Sequence, residues 1–459
     1  MSCNKHPENK VIATRRQFLS TMGTGFGMLA LGSIANAQDA SLQPRSSHFP
    51  GTAKRVIHLY QSGAQSHIDT WDHKPELSKA AENSKGMRKL LPSPFNFQRQ
   101  GQSGLMMSEV WPQLSTVADD LCVINSCFTD VPDHENATLT MTTGDARLPK
   151  PSIGSWAVYG LGSMNQNLPS FVSLNSGGFP TGGNRNWSSA FMPGIYQGTY
   201  VDTSNTKIEK IIENIRSDFA NSNDQRKQLD MLNKLNEIHK QKRNADPVLE
   251  ARIQSFELAF KMQTDAVEAF DVEREPEATK ERYGYNSNNR QEAAQARQML
   301  VARRLLERGV RFVQCWNGGW DTHNNVNGAV RQRAAAIDRP IAAFIKDLKS
   351  LGMLKDTLVV SSTEFGRSST EDGPGGRSHN AKAFSSWMAG GGIKGGVAYG
   401  STDELGSAAV DNKVHVHELH ATILHALGFD PQQLTYRSGG RDFRLTDVSN
   451  AMPVKALFA

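Results

Sequence analysis

Asp321 and His323 stand two residues apart in "WDTHNN", and residues so spaced in extended backbone face the same way. A carboxylate and an imidazole on one face can hold one ion. Mixed oxygen and nitrogen ligands suit zinc, manganese or iron better than calcium. Three similar clusters accompany the pair. His67, Asp69 and Asp72 follow the apolar run "VIHLY"; Asp133 and His134 follow "LCVINS"; Glu364 and Arg367 follow "TLVVSS" in "TEFGRS". Ligand-type or acid–base residues thus come directly after a strand-like run four times. His379, in the Gly-rich "GPGGRSHN", is the candidate third ligand, because glycines let backbone approach a site closely. The competing reading of residues 321–323 is a surface turn without a metal. For Asp69 and Asp72 it is bracing of the segment that follows.

Other motifs carry less. "HELHA" at 417–421 is one residue short of H-E-x-x-H, so its histidines lack the spacing that puts both on one helix face. His420 and His425 therefore read as packing or surface residues. "AGGGIKGG" at 389–396 lacks the Ser or Thr that follows Lys in a phosphate-binding loop. A turn between strands accounts for its glycines. No dinucleotide fingerprint follows the first strand.

The elements that must position these residues alternate. Strand-like runs occupy 55–60, 121–126, 171–174, 310–316 and 357–362, with helical patterns such as 291–308 and 329–351 between them. Strands separated by helices imply a mostly parallel sheet covered on both faces. In such sheets ligands bind at the carboxyl ends of the strands, so the four loops should converge. Between 206 and 282 the composition becomes highly charged, with apolar residues at helical spacing (Ile208, Ile211, Ile212, Ile215, then Leu232, Leu235, Ile238). This predicts a helical insertion on the α/β core.

The N-terminus reads as an export signal over 1–37. Arg15 and Arg16 precede a weakly apolar stretch, and Ala35-Asn36-Ala37 forms a cleavage site. The paired arginines point to the twin-arginine machinery and a periplasmic or secreted product. Residues 38–54 read as an unstructured leader, and 55–459 as the domain. No permanent membrane span is expected. The formal charge is +5. Residues 1–37 carry Lys5, Lys10, Arg15 and Arg16 against Glu8, which leaves the remainder near +2, too mild to argue for nucleic acid. Cys3 leaves with the signal. Cys122, Cys127 and Cys315 then make an odd count, so at least one thiol is unpaired, and Cys122 and Cys315, in apolar strand-like runs, read best as buried free thiols.

Taken together, "SGAQSHIDTWDHKPEL", "DHENATLTMTTGD", "WDTHNN", "TEFGR", "GRSHN", "AGGGIKGGVAYGSTDELG" and "LHATILHALGFDPQQLTYRSGGRDFRLTD" resemble the exported family called domain of unknown function 1501. That family lies within the alkaline-phosphatase-like and sulfatase-like superfamily. The resemblance covers nearly all of the mature chain. It implies a three-layer α/β sandwich with a central, mostly parallel sheet, and a site of one or two metal ions beside a nucleophile. Asp321, His323 and His379 look like an Asp/His/His metal set. Glu364-Phe365 stands where the superfamily places a ligating Asp-His, and Phe365 cannot bind metal. The aspartate usual after the first strand is replaced by Gln61 and Ser62, with Asp69 later. The nucleophile region offers His134 and no Cys, so formylglycine chemistry is not implied. Thr138 is the nearest hydroxyl nucleophile, and it needs a metal or base to activate it.

The expected function is an exported, metal-dependent hydrolase of phosphate or sulfate esters. Asp69, Asp321, His323, Glu364 and His379 are the expected ligands of a divalent ion, zinc or manganese first. His134 is expected as acid/base or further ligand, Thr138 as nucleophile, and Arg367 against the anionic ester oxygens. The substrate would be an anionic ester or sulfated glycan. The alternative is a non-catalytic member of the fold that binds a sulfated or phosphorylated glycan or a protein partner.

Overall fold

The computed structural model describes residues 42–82, 84, 89–165, 167–205 and 268–459, with isolated positions 224, 227, 230, 231 and 234. The paired arginines, the cleavage site and most of the expected helical insertion lie outside the described residues.

Nine strands form one sheet. In chain order the ones that matter here are β1 (Arg55–Gln61), β2 (Leu121–Phe128), β3 (Phe171–Asn175), β4 (Thr199–Asp202), β5 (Phe312–Asn317) and β6 (Thr357–Ser362). A hairpin outside the sheet follows, β7 (Gly366–Glu371) with β8 (Arg377–Asn380), and then β9 (Phe384–Ala389), β10 (Val397–Tyr399) and β11 (Val414–His415). The sheet order is β10-β2-β9-β6-β1-β5-β3-β4, with β11 also on β2. Only β9 runs against its neighbours. The other pairings are parallel. This is the mixed α/β, mostly parallel sheet that the alternation implies.

Each face of the sheet is covered, and β1 shows why. Its side chains alternate, so Ile57 and Leu59 enter one core cluster while Val56 and Tyr60 enter another. The helices that matter here are α1 (His67–Thr70), α2 (His134–Thr143), α3 (Ile153–Leu161), α4 (Glu277–Tyr283), α5 (Arg290–Glu307), α6 (Val326–Ser350) and α7 (Val416–Ala426). Leu300 and Leu305 of α5 and Ile337, Phe344 and Ile345 of α6 lie in the first cluster. Trp156 of α3 and Leu419 and Leu424 of α7 lie in the second. The described end of the 206–282 region forms α4, whose Tyr283 hydroxyl donates to Asp347 at 2.9 Å.

Two sequence expectations need comment. The segment expected as an unstructured leader is packed from residue 42 onward. Arg45 N–H donates to the Leu161 carbonyl (3.0 Å), Phe49 N–H to Gly428 (3.1 Å) and Ala53 N–H to Ala426 (2.8 Å). Leu42 packs against the second core cluster. These bonds satisfy carbonyls at the ends of α3 and α7, which composition alone does not reveal. The glycines of 389–396 do connect two strands, β9 and β10. Cys122, Cys127 and Cys315 are free and buried. Among the described residues no helix is long and apolar enough to cross a membrane.

Candidate metal centre

The loops leaving β1, β2, β5 and β6 meet at the carboxyl edge of the sheet. Close backbone contacts interlock them. Gly63 after β1 has φ +110°, and a Cβ there would lie 2.6 Å from Asp321 N. In the β7–β8 tip, a Cβ on Gly376 would lie 1.8 Å from the His323 carbonyl oxygen. Only glycine fits either place, and the hairpin's register sets His379 opposite Arg367. His134 is the first residue of α2. The helix begins there because Asp133 caps it, accepting from Asn136 N–H at 3.0 Å. It ends at Gly144, in the left-handed conformation. His417 and His420 donate Nε2–H to the carbonyls of Gly144 (2.9 Å) and Met141 (2.7 Å). "HELH" therefore holds the far end of the helix that presents His134.

One ligand-type atom each from His134, Asp321 and His379 lie within 4.8 Å of one another. Asp321 Oδ1 is 3.3 Å from His134 Nε2, 3.0 Å from His323 Nε2 and 3.8 Å from His379 Nε2. His323 Nε2 and His379 Nε2 are 3.1 Å apart. Two ligands of one ion at the usual 2.0–2.2 Å lie at most about 4.4 Å apart, so these spacings suit a shared cation.

The outer ring nitrogens fix the tautomers. His134 Nδ1 faces Glu364 Oε1 at 2.7 Å, His323 Nδ1 faces Asp372 Oδ2 at 2.7 Å, and His379 Nδ1 faces the Pro132 carbonyl at 2.8 Å. Each partner only accepts, so each Nδ1 carries the proton. The three Nε2 atoms then turn toward the carboxylate of Asp321, with Arg367 Nη1 also 3.3 Å from that of His323. His134 Nε2 is buried with no hydrogen-bond donor. Acceptors facing acceptors repel unless a proton or a cation lies between them. Protein-held imidazoles of this kind, with the outer N–H on a carboxylate or carbonyl, are the ordinary preparation of a metal ligand.

Burial lowers the His134 pKa, but the hydrogen bond and charge of Glu364 outweigh it, so the group sits above its ordinary value. Burial lowers the His379 pKa. For Asp321, burial is outweighed by the bond to Arg367, and its pKa falls.

Other expected ligands sit elsewhere. Both oxygens of Asp69 are taken by the Arg377 guanidinium, at 2.7 and 3.0 Å, and Ser66 Oγ donates to the same carboxylate at 2.5 Å. Asp69 and Arg377 are both fully buried. Asp69 thus braces the hairpin and does not face the centre. Glu364 is also fully buried. Its Oε1 accepts from Gly63 N–H at 2.8 Å as well as from His134, so it orients the histidine. Arg367 has all five N–H groups engaged: Nε with Ala64 O, Nη1 with Arg377 O and His323 Nε2, Nη2 with Gly63 O and Asp321 Oδ1. None remains for ester oxygens. Thr138 is buried one turn along α2 and accepts from the Tyr60 hydroxyl at 3.2 Å, so its hydroxyl faces the sheet. Sequence reasoning missed Asp372, Tyr60 and the Asp69–Arg377 pair. The signal for Asp372 was its place at the tip of the hairpin that carries His379.

The family described as "Protein of unknown function (DUF1501)" matches residues 53–458. The chain belongs to the DUF1501 family. Comparison with curated proteins finds no match. Solved structures similar to this DUF1501 chain include a sulfatase from Pseudoalteromonas sp., 11% identical over 82% of this chain and 68% of that one, with a TM-score of 0.36. The alkaline phosphatase from the Antarctic bacterium TAB5 is 12% identical over 82% and 98%, with a TM-score of 0.33. A phosphonate monoester hydrolase from Silicibacter pomeroyi is 10% identical over 88% and 76%, with a TM-score of 0.34.

Proposed function

We propose that this DUF1501 protein is an exported, metal-dependent hydrolase of phosphate or sulfate esters. The observation that carries the reading is the set of three imidazoles whose outer nitrogens are tied to Glu364, Asp372 and Pro132 and whose Nε2 atoms converge on Asp321. His134, Asp321, His323 and His379 would hold one divalent cation, and three imidazoles with a carboxylate suit zinc or manganese. When bound, such a cation acts as a Lewis acid on an ester oxygen and lowers the pKa of water. Glu364 fixes the His134 ring, and Asp372 fixes His323. Arg367 holds Asp321 in place and limits the negative charge of the centre. The Asp321 side chain, 47% exposed, leaves the centre open to an incoming ester.

Arg367 and Thr138 also support a second reading, binding without turnover. The guanidinium has no free donor, and the nearest hydroxyl on α2 is turned toward Tyr60.

Metal analysis of the purified full chain separates these readings from neither being right. About one zinc or manganese per chain is expected, reduced to background in His323→Ala. Chelation should abolish hydrolysis of nitrophenyl phosphate or nitrophenyl sulfate, and the ion should restore it. Metal without turnover on any such ester selects the binding reading. A metal-free protein that takes up no added zinc or manganese overturns both.

A further inference from the structure

A second surface at the same edge of the sheet is aromatic. Phe179 follows the carboxyl end of β3 and is 66% exposed. Its ring centroid lies 4.7 Å from that of Tyr200 and 5.8 Å from that of Trp187. Trp187 and Tyr200 stack at 5.2 Å with planes 19° apart. Trp187 is buried, so the stack rests on the core, with Tyr200 half-buried and Phe179 outermost. The loop that carries Phe179 is held to the stack. Asn175 Nδ2 and the Tyr200 hydroxyl both donate to the Gly178 carbonyl, at 2.7 and 2.8 Å. The space around it is open: a Cβ on Gly177, Gly178 or Gly183 would meet nothing within 4 Å.

The stack is coupled to α2. Thr142 Oγ1 donates to Asn186 Oδ1 at 2.9 Å, and Arg185 lies 3.5 Å from Glu135, the neighbour of His134. The stretch from His134 to Thr142 spans about 12 Å at 1.5 Å per residue. An exposed flat ring, the Arg185 cation two residues before the Trp187 that supports it, and the metal centre about a helix length away suit a chain molecule with apolar ring faces and anionic groups.

We propose that Phe179, on its Trp187–Tyr200 base, is a binding subsite for an anionic glycan, with a sugar face on the ring and a sulfate or phosphate ester near Arg185. This rests on the ester-binding reading of the metal centre and adds the place where the glycan is held. The rigid ring supplies contact area at small entropic cost. The Arg185 guanidinium supplies the anion partner.

The test is retardation of the full chain in native gels containing dextran sulfate, dextran phosphate or unmodified dextran. The parent protein should be retarded by a charged polymer more than by dextran, and the better of the two charged polymers reads which ester is recognised. Phe179→Ala should weaken retention about tenfold with its thermal melt and metal content unchanged, since the ring is exposed. Arg185→Gln should remove the preference for charge. Retention of Phe179→Ala equal to the parent, or no retardation of the parent by either charged polymer, overturns the proposal. Chelated protein keeps the platform, so its retention should persist. Failure of the metal centre is read separately, as missing metal and missing turnover.

Discussion

His323 Nδ1 lies 2.7 Å from Asp372 Oδ2, across the mouth of the β7–β8 hairpin, and this contact decides which nitrogen of His323 faces the centre. The carboxylate keeps the proton on Nδ1 and raises the basicity of Nε2. Asp372→Ala frees the ring to rotate and to take the other tautomer. Zinc affinity, read by competition with a chromophoric chelator, should fall about 10–100-fold. Asp372→Glu should recover part of it. Unchanged affinity in Asp372→Ala would remove His323 from the ligand set.

Asp69 and Arg377 are expected to matter for the fold more than for the ion. Removing one partner leaves a fully buried charge with no counter-ion, which costs about 3–5 kcal/mol. Arg377→Met should therefore lower the unfolding free energy obtained from urea titration by that amount, measured at constant metal loading. The purified variant should still bind zinc near the parent's affinity at temperatures where it is folded. A loss of zinc with the fold intact would show that Asp69 belongs to the centre after all.

The sheet and its convergence were legible because hydrophobic alternation and strand-end chemistry are local. "RVIHLYQ" declares a buried strand, and "WDTH" declares paired side chains. The allocation of roles among the converging residues was not legible. Asp69, Glu364 and Arg367 carry the right groups, but each is consumed by a neighbour distant in sequence: Arg377 for the first, His134 and Gly63 for the second, and five acceptors for the third. A fully buried carboxylate or guanidinium must find partners, and which partners it finds is a property of the packed loops. His134 illustrates the reverse. Its place after a strand-like run is readable in sequence, and its ring joins the ligand cluster.

Thr138 gives a direct test of how an ester would be attacked. Its hydroxyl is buried and accepts from Tyr60, so a role as nucleophile would require it to turn toward the centre. Thr138→Val keeps the volume and removes one partner of the Tyr60 hydroxyl, which keeps Glu364, at a cost of about 1 kcal/mol in stability. Any ester turnover of the parent should survive this change within a few-fold, whereas His323→Ala should abolish it. Loss of turnover in Thr138→Val with metal content and melt intact would restore Thr138 as the nucleophile.

Stability should fall on mild acidification because histidines, His58 and His420 among them, are buried in neutral form. His58, in the middle of β1, has its pKa lowered from 6.5 to about 4 by burial, with Nε2 on Ser362 Oγ at 2.7 Å. His420 of α7 is lowered to about 3, by burial first and then by the charge of His417. Its Nε2 donates to the Met141 carbonyl, and its Nδ1 is buried without a partner. In the unfolded chain both titrate near the ordinary value of about 6.5. Below that pH the unfolded state binds more protons than the folded one, so stability is full above it and declines as pH falls through 6.5 toward 4. Each group can contribute a slope of up to about 1.4 kcal/mol per pH unit. Urea unfolding from pH 7 to pH 5 reads this range above most carboxylate titrations. His420→Gln retains an N–H donor for Met141 and cannot ionise. It should flatten the slope by about one proton whatever it does to stability at pH 7, and a slope identical to the parent's would show that His420 is not held neutral in the fold.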